Sequence, residues 1–450
     1  MNITTGNDND TVIQPALVNG AVVRSKDDIK TNAGNDTINA GLGYLDKVDG
    51  GTGIDHLTID YSVGDTGGGM SFNNVSSTFG TASRSSGGRG ASLDSIQFRN
   101  IEQFTVIGTS KDDTITTSYG TNIIQAGAGN DRVTAIAGNL SGTLDGGSGF
   151  DYLTLDLSKQ TANINLSNLS NISVAGINAI NFERFNITTG SGNDIVTQYC
   201  TCQLLRASDS IRTGAGNDII NAGLGGKSMS DRDFVNGGAG IDRLIVDYSV
   251  GDTGTGMIFD ANCPWFTAYR NVSSTNSTPL DFLFSRNIEE FTVIGTSKND
   301  SIVTGKGNDI VNAGAGNDTI IGHLGADTLT GGTGVDTYKY DGYYDSYKDS
   351  LLANYDVITD LAIGTDVIDG RRAVSASQLK ELGNVTALTE IAIQQVLTAT
   401  NFSAGGAATF SFGDRTFLGI NDRTAGFSAI TDSIIEITGF SGSLTNLAIV

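Results

Sequence analysis

The chain of 450 residues has little of what most enzymes and nucleic-acid-binding proteins rely on: 2 His, 1 Trp, 3 Cys and 3 Pro. Neither His56 nor His323 stands in an H-E-x-x-H pattern, which excludes that type of zinc-protease site. No G-x-S-x-G occurs, so the usual lipase nucleophile elbow is excluded as well. Cys200 and Cys202 are too close for an easy mutual bridge and Cys263 is remote, so the cysteines form no disulfide framework and read as incidental. Cationic residues are scarce, 27 Lys and Arg against 49 Asp and Glu, giving a net charge of −22. That sign argues against a nucleic-acid partner. No apolar run reaches the length of a membrane-spanning helix. The stretch Met1 to Asp10 has neither a basic nor an apolar segment, so no Sec-type signal is expected.

What is abundant is Gly, at 60 positions, and Asp: of the 49 acidic residues only Glu102, Glu183, Glu289, Glu290, Glu381, Glu390 and Glu436 are Glu. A solvated acidic surface accepts either residue. Asp is favoured in turns and in hard-cation loops, where a short carboxylate joins backbone oxygens around an ion.

Both residues fall on a period. From 295 to 339 run five gapless nonapeptides, GTSKNDSIV, TGKGNDIVN, AGAGNDTII, GHLGADTLT and GGTGVDTYK. Asp300, Asp309, Asp318, Asp327 and Asp336 recur every ninth residue, each followed two residues later by Ile302, Val311, Ile320, Leu329 or Tyr338. Six Gly-rich residues make a turn, and three make a short strand with its central side chain inward. Two such units close a coil of eighteen residues, with coils about 4.8 Å apart. Asp300, Asp318 and Asp336 then line one edge, and Asp309 and Asp327 the other. Carboxylates stacked so closely repel by roughly 1 kcal/mol per pair in water and about 3–4 kcal/mol at a protein surface. A dication between turns reverses that sign, and Asp with Gly carbonyls as the only ligands selects Ca2+.

The pattern G-G-x-G-x-D-x-U-x resembles the calcium-binding repeat of the RTX, or haemolysin-type, proteins. The resemblance extends over about three-quarters of the chain. Asp10, Asp36, Asp46 and Asp55 mark a first run, with Asp28 between, ending in GGTGIDHLTIDYS. Asp113 and Asp131, with Asn122 at an Asp position, lead to Asp151 in GGSGFDYLTLDLS. Asp194, Asp209, Asp218 and Asp233 lead to Asp242 in GGAGIDRLIVDYS. After each ending comes a Ser/Asn/Gly-rich excursion and a return segment carrying Glu, from Asn100, Asn181 and Asn287. DYSVGDTGGGM at 60–70 recurs as DYSVGDTGTGM at 247–257, which reads as duplication. Glu102, Glu183 and Glu289 hold equivalent places and read as helper contacts rather than acid catalysts.

The expected architecture is all-β: a right-handed parallel β-roll or β-solenoid of calcium-binding nonapeptides, interrupted by insertions that widen its rungs laterally. Its expected divisions are modules at 1–106, 107–187 and 188–294, the uninterrupted array at 295–340, and a β-rich cap with the secretion region at 341–450. The expected calcium ligands are the sixteen carboxylates of Asp10, Asp36, Asp46, Asp55, Asp113, Asp131, Asp151, Asp194, Asp218, Asp233, Asp242, Asp300, Asp309, Asp318, Asp327 and Asp336. Backbone oxygens at Gly305, Gly307, Gly314, Gly316, Gly332 and Gly334 complete the set. His323 occupies a turn position usually held by Gly and reads as a tolerated substitution. Trp265 and Tyr269, in NCPWFTAYR, are the candidate contacts for a glycan or partner, with local packing as the simpler reading.

Beyond Lys339, Asp356, Ile358, Asp360, Gly364, Asp366, Ile368 and Asp369 resemble the D-x-I-x-D and G-x-D-x-I-D segment of serralysin-type C-terminal domains, with Leu361 where that pattern has Phe. The last stretch resembles C-terminal domains of cyanobacterial surface proteins. The tyrosines Tyr338, Tyr340, Tyr343, Tyr344 and Tyr347 are expected to pack the cap. The RTX resemblance implies type I secretion, with the apolar end Leu447 to Val450 as signal and folding deferred until external calcium is met. Repeats begin by Thr4, so no upstream catalytic domain is expected. The functional expectation is a non-enzymatic, calcium-loaded structural protein of the cell surface or surface layer. Its partners would be copies of itself, in a filament or lattice, or cell-surface polysaccharide. An adhesin is the alternative.

Overall fold

The computed structural model describes residues 1–64, 67–76, 78–87, 92–198, 208–226, 231–250, 254–261, 266–273, 276–340 and 349–450. The chain is all-β, with 49% of residues in strands and 2% in helix. Among the described residues it divides into two compact units, one running from Met1 to Asp218 and the other from Ile219 to Val450.

In the first unit the x-U-x segments form three-residue parallel strands in two stacks. Asn2–Thr4, Asp28–Lys30 and Asp46–Asp49 pair in one stack. Thr11–Ile13, Thr37–Asn39, His56–Asp60 and Gln103–Ile107 pair in the other. The central residues Ile29, Ile38 and Leu57 are fully buried, because a strand of period two sends only its middle side chain inward.

The excursions extend the stack instead of widening its rungs. Met70–Asn74, Gly80–Ser85 and Ser92–Arg99 form an antiparallel sheet. Its outer strands dock in parallel register, Ser92–Arg99 on Asp46–Asp49 and Met70–Asn74 on Thr114–Gln125. Three strands thus stand in the sheet where one would otherwise lie. The physical reason is alternation: Met70, Phe72 and Asn74 are buried, and a lateral flap would leave them in water. The second excursion does the same with one hairpin, Asn171–Val174 against Ile177–Ile180, docked on Arg132–Asp145. The return segments Gln103–Ile107, Arg184–Thr188 and Glu290–Ile294 are parallel strands with alternating burial.

In the second unit one stack runs Ile219–Asn221, Arg243–Asp247, Glu290–Ile294, Ile310–Asn312, Thr328–Thr330 and Asp356–Ile358. The other begins at Asp233–Asn236, passes through the antiparallel strands Asn276–Arg286, Phe266–Ser273 and Ile258–Asp260, and continues as Ser301–Val303, Thr319–Ile321, Thr337–Tyr340 and Val367–Gly370. A cap closes this unit. Ser433–Glu436 pairs with Asp356–Ile358 and with Arg415–Ile420, which pairs with Ala407–Phe412. Leu397, Phe402, Phe410, Phe417, Phe427 and Ile434 form its apolar core. Tyr338 and Tyr340 are buried, whereas Tyr343, Tyr344 and Tyr347 lie outside the described residues. Leu447 and Ile449 are buried too, Ile449 bridging Ile368 and Val374. Among the described residues no helix is long and apolar enough to cross a membrane.

The duplicated DYSVGDT sequences each anchor a buried ion pair. Arg84 and Asp94, cross-strand partners, meet at 2.5 Å with both side chains fully buried. Arg84 also donates to the carbonyl oxygens of Tyr61, at 2.5 Å, and Val63, at 3.1 Å, and lies 5.4 Å from the centre of the Tyr61 ring. Arg24 adds a second guanidinium to Asp94, at 2.9 Å. In the other unit Arg270 pairs with Asp281 and donates to the carbonyls of Tyr248, at 3.0 Å, and Val250, at 3.2 Å. Removing the carboxylate strands the fully buried guanidinium of Arg84, since Arg24 would still meet Asp94 if Arg84 were removed instead. Asp94→Ala should therefore cost about 3–5 kcal/mol in urea unfolding with calcium present. A loss under 1 kcal/mol would show that the pair behaves as a surface contact.

Candidate metal centre

The strand that buries U fixes the Asp two residues earlier at the mouth of the turn. There each carboxylate reaches the backbone of the preceding coil. Asp300 donates its N–H to Oδ1 of Asp318 at 2.7 Å, Asp318 to Asp336 at 2.9 Å, and Asp336 to Asp366 at 3.2 Å. On the other edge Phe291 donates to Asp309 at 2.7 Å, Asp309 to Asp327 at 2.9 Å, and Asp327 to Asp356 at 3.1 Å. The first unit repeats the device. Asp10 donates to Asp36 and Asp36 to Asp55. Asp27 donates to Asp46. Asp113 donates to Asp131 and Asp131 to Asp151. Asp194 donates to Asp218, and Phe185 to Asp209. Asp233 and Asp242 are fully buried at the equivalent place.

At each excursion a Glu takes the ladder's next step. Asp55 donates to Glu102 Oε2 at 2.9 Å, Asp151 to Glu183 at 2.8 Å and Asp242 to Glu289 at 2.9 Å. In return the Asp carbonyl accepts two amides, such as Glu102 and Gln103 on Asp55. The Asn two residues before each Glu holds φ between +52° and +58°, turning the chain back into register. Asn100, Asn181 and Asn287 were not singled out by the sequence reading, although their identical placement before the Glu was the available signal.

The residue before each Asp builds a second ladder in the opposite sense. Val335 donates to Asn317 at 3.0 Å, Asn317 to Asn299 at 2.9 Å and Ala326 to Asn308 at 2.9 Å. Ile54 and Phe150 donate likewise to Asn35 and Asn130. The recurring G-N-D triplet carries this signal in plain view.

At many rungs one oxygen is left over, although Asp113 and Asp300 use theirs to accept the amides of Thr109 and Thr296. Oδ2 of Asp10, Asp36, Asp55, Asp131, Asp151, Asp194, Asp318 and Asp336 is buried and has no hydrogen-bond partner. Such atoms cost more than they return unless something positive meets them. Around them the turns are packed through glycine. Gly332 (φ +96°) and Gly334 (φ +141°) hold conformations disfavoured by L side chains, and a Cβ on either would collide with the carbonyl oxygen of Gly314 or Gly316 one coil earlier. Gly305, Gly307, Gly314 and Gly316 share the positive φ. A Cβ on Gly331 would fall 2.5 Å from Asp336 Oδ2. At these rungs the turns present carbonyl oxygens and an unmet carboxylate oxygen, a hard-oxygen donor set that suits Ca2+. No group of three His, Cys, Asp or Glu gathers at one point among the described residues, so carbonyls must supply much of any coordination sphere.

The electrostatics agree. Burial, reinforced by the carboxylates of Asp300 and Asp336, pushes Asp318 up to about 7. Burial with Asp113 and Asp151 nearby does the same to Asp131, also to about 7. Asp46, Asp55, Asp151 and Asp309 rise to about 6, burial leading in each case. Asp327 is raised by burial and by the charges of Asp356, Asp309 and Asp349, and Asp356 by burial and by the charges of Asp349 and Asp309.

His323 holds φ +64°, is 4% exposed, and sets Nδ1 3.9 Å from Asp349 Oδ1. Asn122, fully buried, donates to Thr117 and to the carbonyl of Tyr119, so it ties its own strand together. Asp360 receives the amides of Gly331 and Gly332 and the hydroxyl of Tyr338. Tyr269 is half-buried, stacked 5.8 Å from Phe282 within its sheet. Trp265 and the three cysteines lie outside the described residues.

Four stretches of the chain, 107–139, 206–226, 292–320 and 303–338, match the RTX calcium-binding nonapeptide repeat. They take in the uninterrupted array and parts of the two preceding runs. No curated protein matches the chain. The chain therefore carries calcium-binding RTX repeats, which point to a calcium-binding, secreted protein.

A carboxylate raised in the folded state stabilises that state below its unfolded value of about 3.9 and loses the contribution as pH rises through its folded value. In EGTA, β-structure measured by circular dichroism should therefore be greater at pH 4 than at pH 8, with the loss falling between pH 4 and about 7. Equal signals at both pH values would contradict the ladder electrostatics.

Proposed function

We propose that the chain is a non-enzymatic structural protein of the cell surface or surface layer, whose rolls fold on calcium after type I export. The observation that carries this reading is the unmet carboxylate oxygen at successive rungs in both units, within turns that glycine alone can pack. Calcium ions between successive coils would supply the positive charge those oxygens face. The holding residues would be Asp300, Asp309, Asp318, Asp327 and Asp336 with the carbonyls of Gly305, Gly307, Gly314, Gly316, Gly332 and Gly334, and the Asp ladders of the first unit in the same manner. Because ions bound only to the folded state shift its equilibrium by mass action, the rolls would stay open at low calcium and close at millimolar calcium.

Residues 341–450 would close the roll and carry the export signal, as in the serralysin-type domains their Asp pattern resembles. Burial of Leu447 and Ile449 against Ile368 and Val374 supports a signal exposed before folding and sequestered afterwards. The duplicated sheets anchored by Arg84 and Arg270 support repeated contact surfaces, as a self-assembling rod or lattice requires.

Negative-stain electron microscopy of the purified chain in millimolar calcium and in EGTA tests the structural role. Filaments or sheets formed only with calcium are expected. Isolated particles under both conditions would contradict it.

A further inference from the structure

The cap holds a feature the calcium ladders do not use. A cavity of about 390 Å³ opens among Arg371, Arg372, Arg423, Asn421, Asp422 and Ile420. That volume lies within the roughly 300–1,000 Å³ span of small-molecule sites. Three guanidiniums in one concavity are unexpected in a chain with 27 cationic residues against 49 acidic ones. Burial pushes the Asp432 carboxyl up to about 6, and the nearby charge of Arg371 offsets a small part of that rise. Arg372 and Arg423 are exposed, and neither makes an ion pair with a described residue. Gly405 (φ +68°) leaves room for Arg372, whose Nη1 would lie 3.0 Å from a Cβ placed there.

A second observation points to a ligand. Asn421 is 3% exposed and lines the cavity. Its amide nitrogen donates to the carbonyl of Phe402 at 2.9 Å, which fixes the amide's orientation and leaves Oδ1 buried with no donor. Asp422 beside it holds its loop by accepting the amide of Thr424 at 2.6 Å, and its carboxylate has lone pairs to spare. The cavity therefore offers two planar cations, the Asp422 carboxylate as an acceptor, and the apolar side chain of Ile420, with the unmet Oδ1 of Asn421 buried in its wall. A bare sulfate or phosphate would satisfy the cations and clash in sign with Asp422. A molecule bearing one carboxylate next to several hydroxyls satisfies the cations and the acceptor. Arginine forks match a carboxylate bidentately, hydroxyls donate to the acceptor, and a sugar's C–H face covers an aliphatic side chain.

We propose that this cavity binds a uronic-acid sugar, its carboxylate held by Arg372 and Arg423 and its hydroxyls by Asp422. The site stands on the geometry of the cap and takes from the calcium reading only the condition under which the chain is folded.

The test is calorimetric titration of the full chain with galacturonate trimer in millimolar calcium, beside the neutral galactose trimer and inorganic sulfate. Binding of the uronate alone is expected, with affinity lowered by about tenfold or more in R372A/R423A, as loss of charge-assisted hydrogen bonds implies. R372K/R423K, which keeps the charge and removes the fork, should fall between. Circular dichroism in calcium reports folding independently, so an unfolded variant is recognised and replaced by the Lys pair. Three outcomes overturn the proposal: no uronate binding by a folded chain, equal uronate binding by folded wild type and R372A/R423A (calcium bridging to the acidic surface), and sulfate binding as tight as uronate (an anion site without sugar recognition). None of them bears on whether calcium folds the rolls.

Discussion

The structure depends on a repulsion that is built in along its Asp ladders. Asp318, Asp327 and Asp336 each use one oxygen to accept the amide of the Asp one coil before, which aligns successive carboxylates and buries them. The same alignment brings like charges together and leaves the Oδ2 of each of these three without a hydrogen-bond partner. Backbone hydrogen bonds and one inward apolar residue per strand cannot offset many such rungs at neutral pH, where the carboxylates prefer to be ionised and burial resists it. A divalent cation in the carbonyl-lined turns would turn the least favourable feature of the coil into its strongest tie. Folding and metal binding would then become one equilibrium. Such coupling would suit the export proposed for the chain, with calcium met only afterwards.

The excursions show how a coil is interrupted without losing that register. An antiparallel sheet or hairpin occupies the same β-spacing as the coils, and it re-enters the stack through a left-handed Asn and a Glu. Glu is one methylene longer than Asp, so it can accept the same amide from a chain arriving by another route. Inside the two larger insertions a fully buried Arg–Asp pair fixes the hairpin register, since Arg84 and Asp94 face each other only in one alignment. The cap has a packed apolar core of its own. Its packed phenylalanines, Phe402, Phe410, Phe417 and Phe427, bury the apolar area that the thin rolls lack.

Much of this was legible because periodicity is itself a structural statement. Asp at every ninth residue with an apolar residue two further on specifies turn, strand and inward face together, and the coil follows. The role of Glu102, Glu183 and Glu289 as ladder contacts could be read from their equivalent places. The excursions could not be read as extra strands of the stack, because their Ser/Asn-rich composition hides the burial of Met70, Phe72 and Asn74. Arg84 and Asp94 lie ten residues apart across a turn, and Arg270 and Asp281 eleven, so their pairing exists only once register is known. The Asn ladder was visible in G-N-D but lay beneath the stronger Asp signal. The cavity of the cap gathers residues from 370 to 423, distances over which a single sequence carries no contact information.

The central claim is that the ladder closes only when its carboxylate oxygens meet a divalent cation. Hydrogen exchange read by mass spectrometry over residues 295–340, at neutral pH in calcium and in EGTA, tests it at the rungs themselves. The amides of Asp300, Asp309, Asp318 and Asp327, each donated to the next carboxylate, should be strongly protected in calcium and exchange as in an unfolded chain in EGTA. Protection that survives EGTA would show that the coil holds without the ion and would contradict the account.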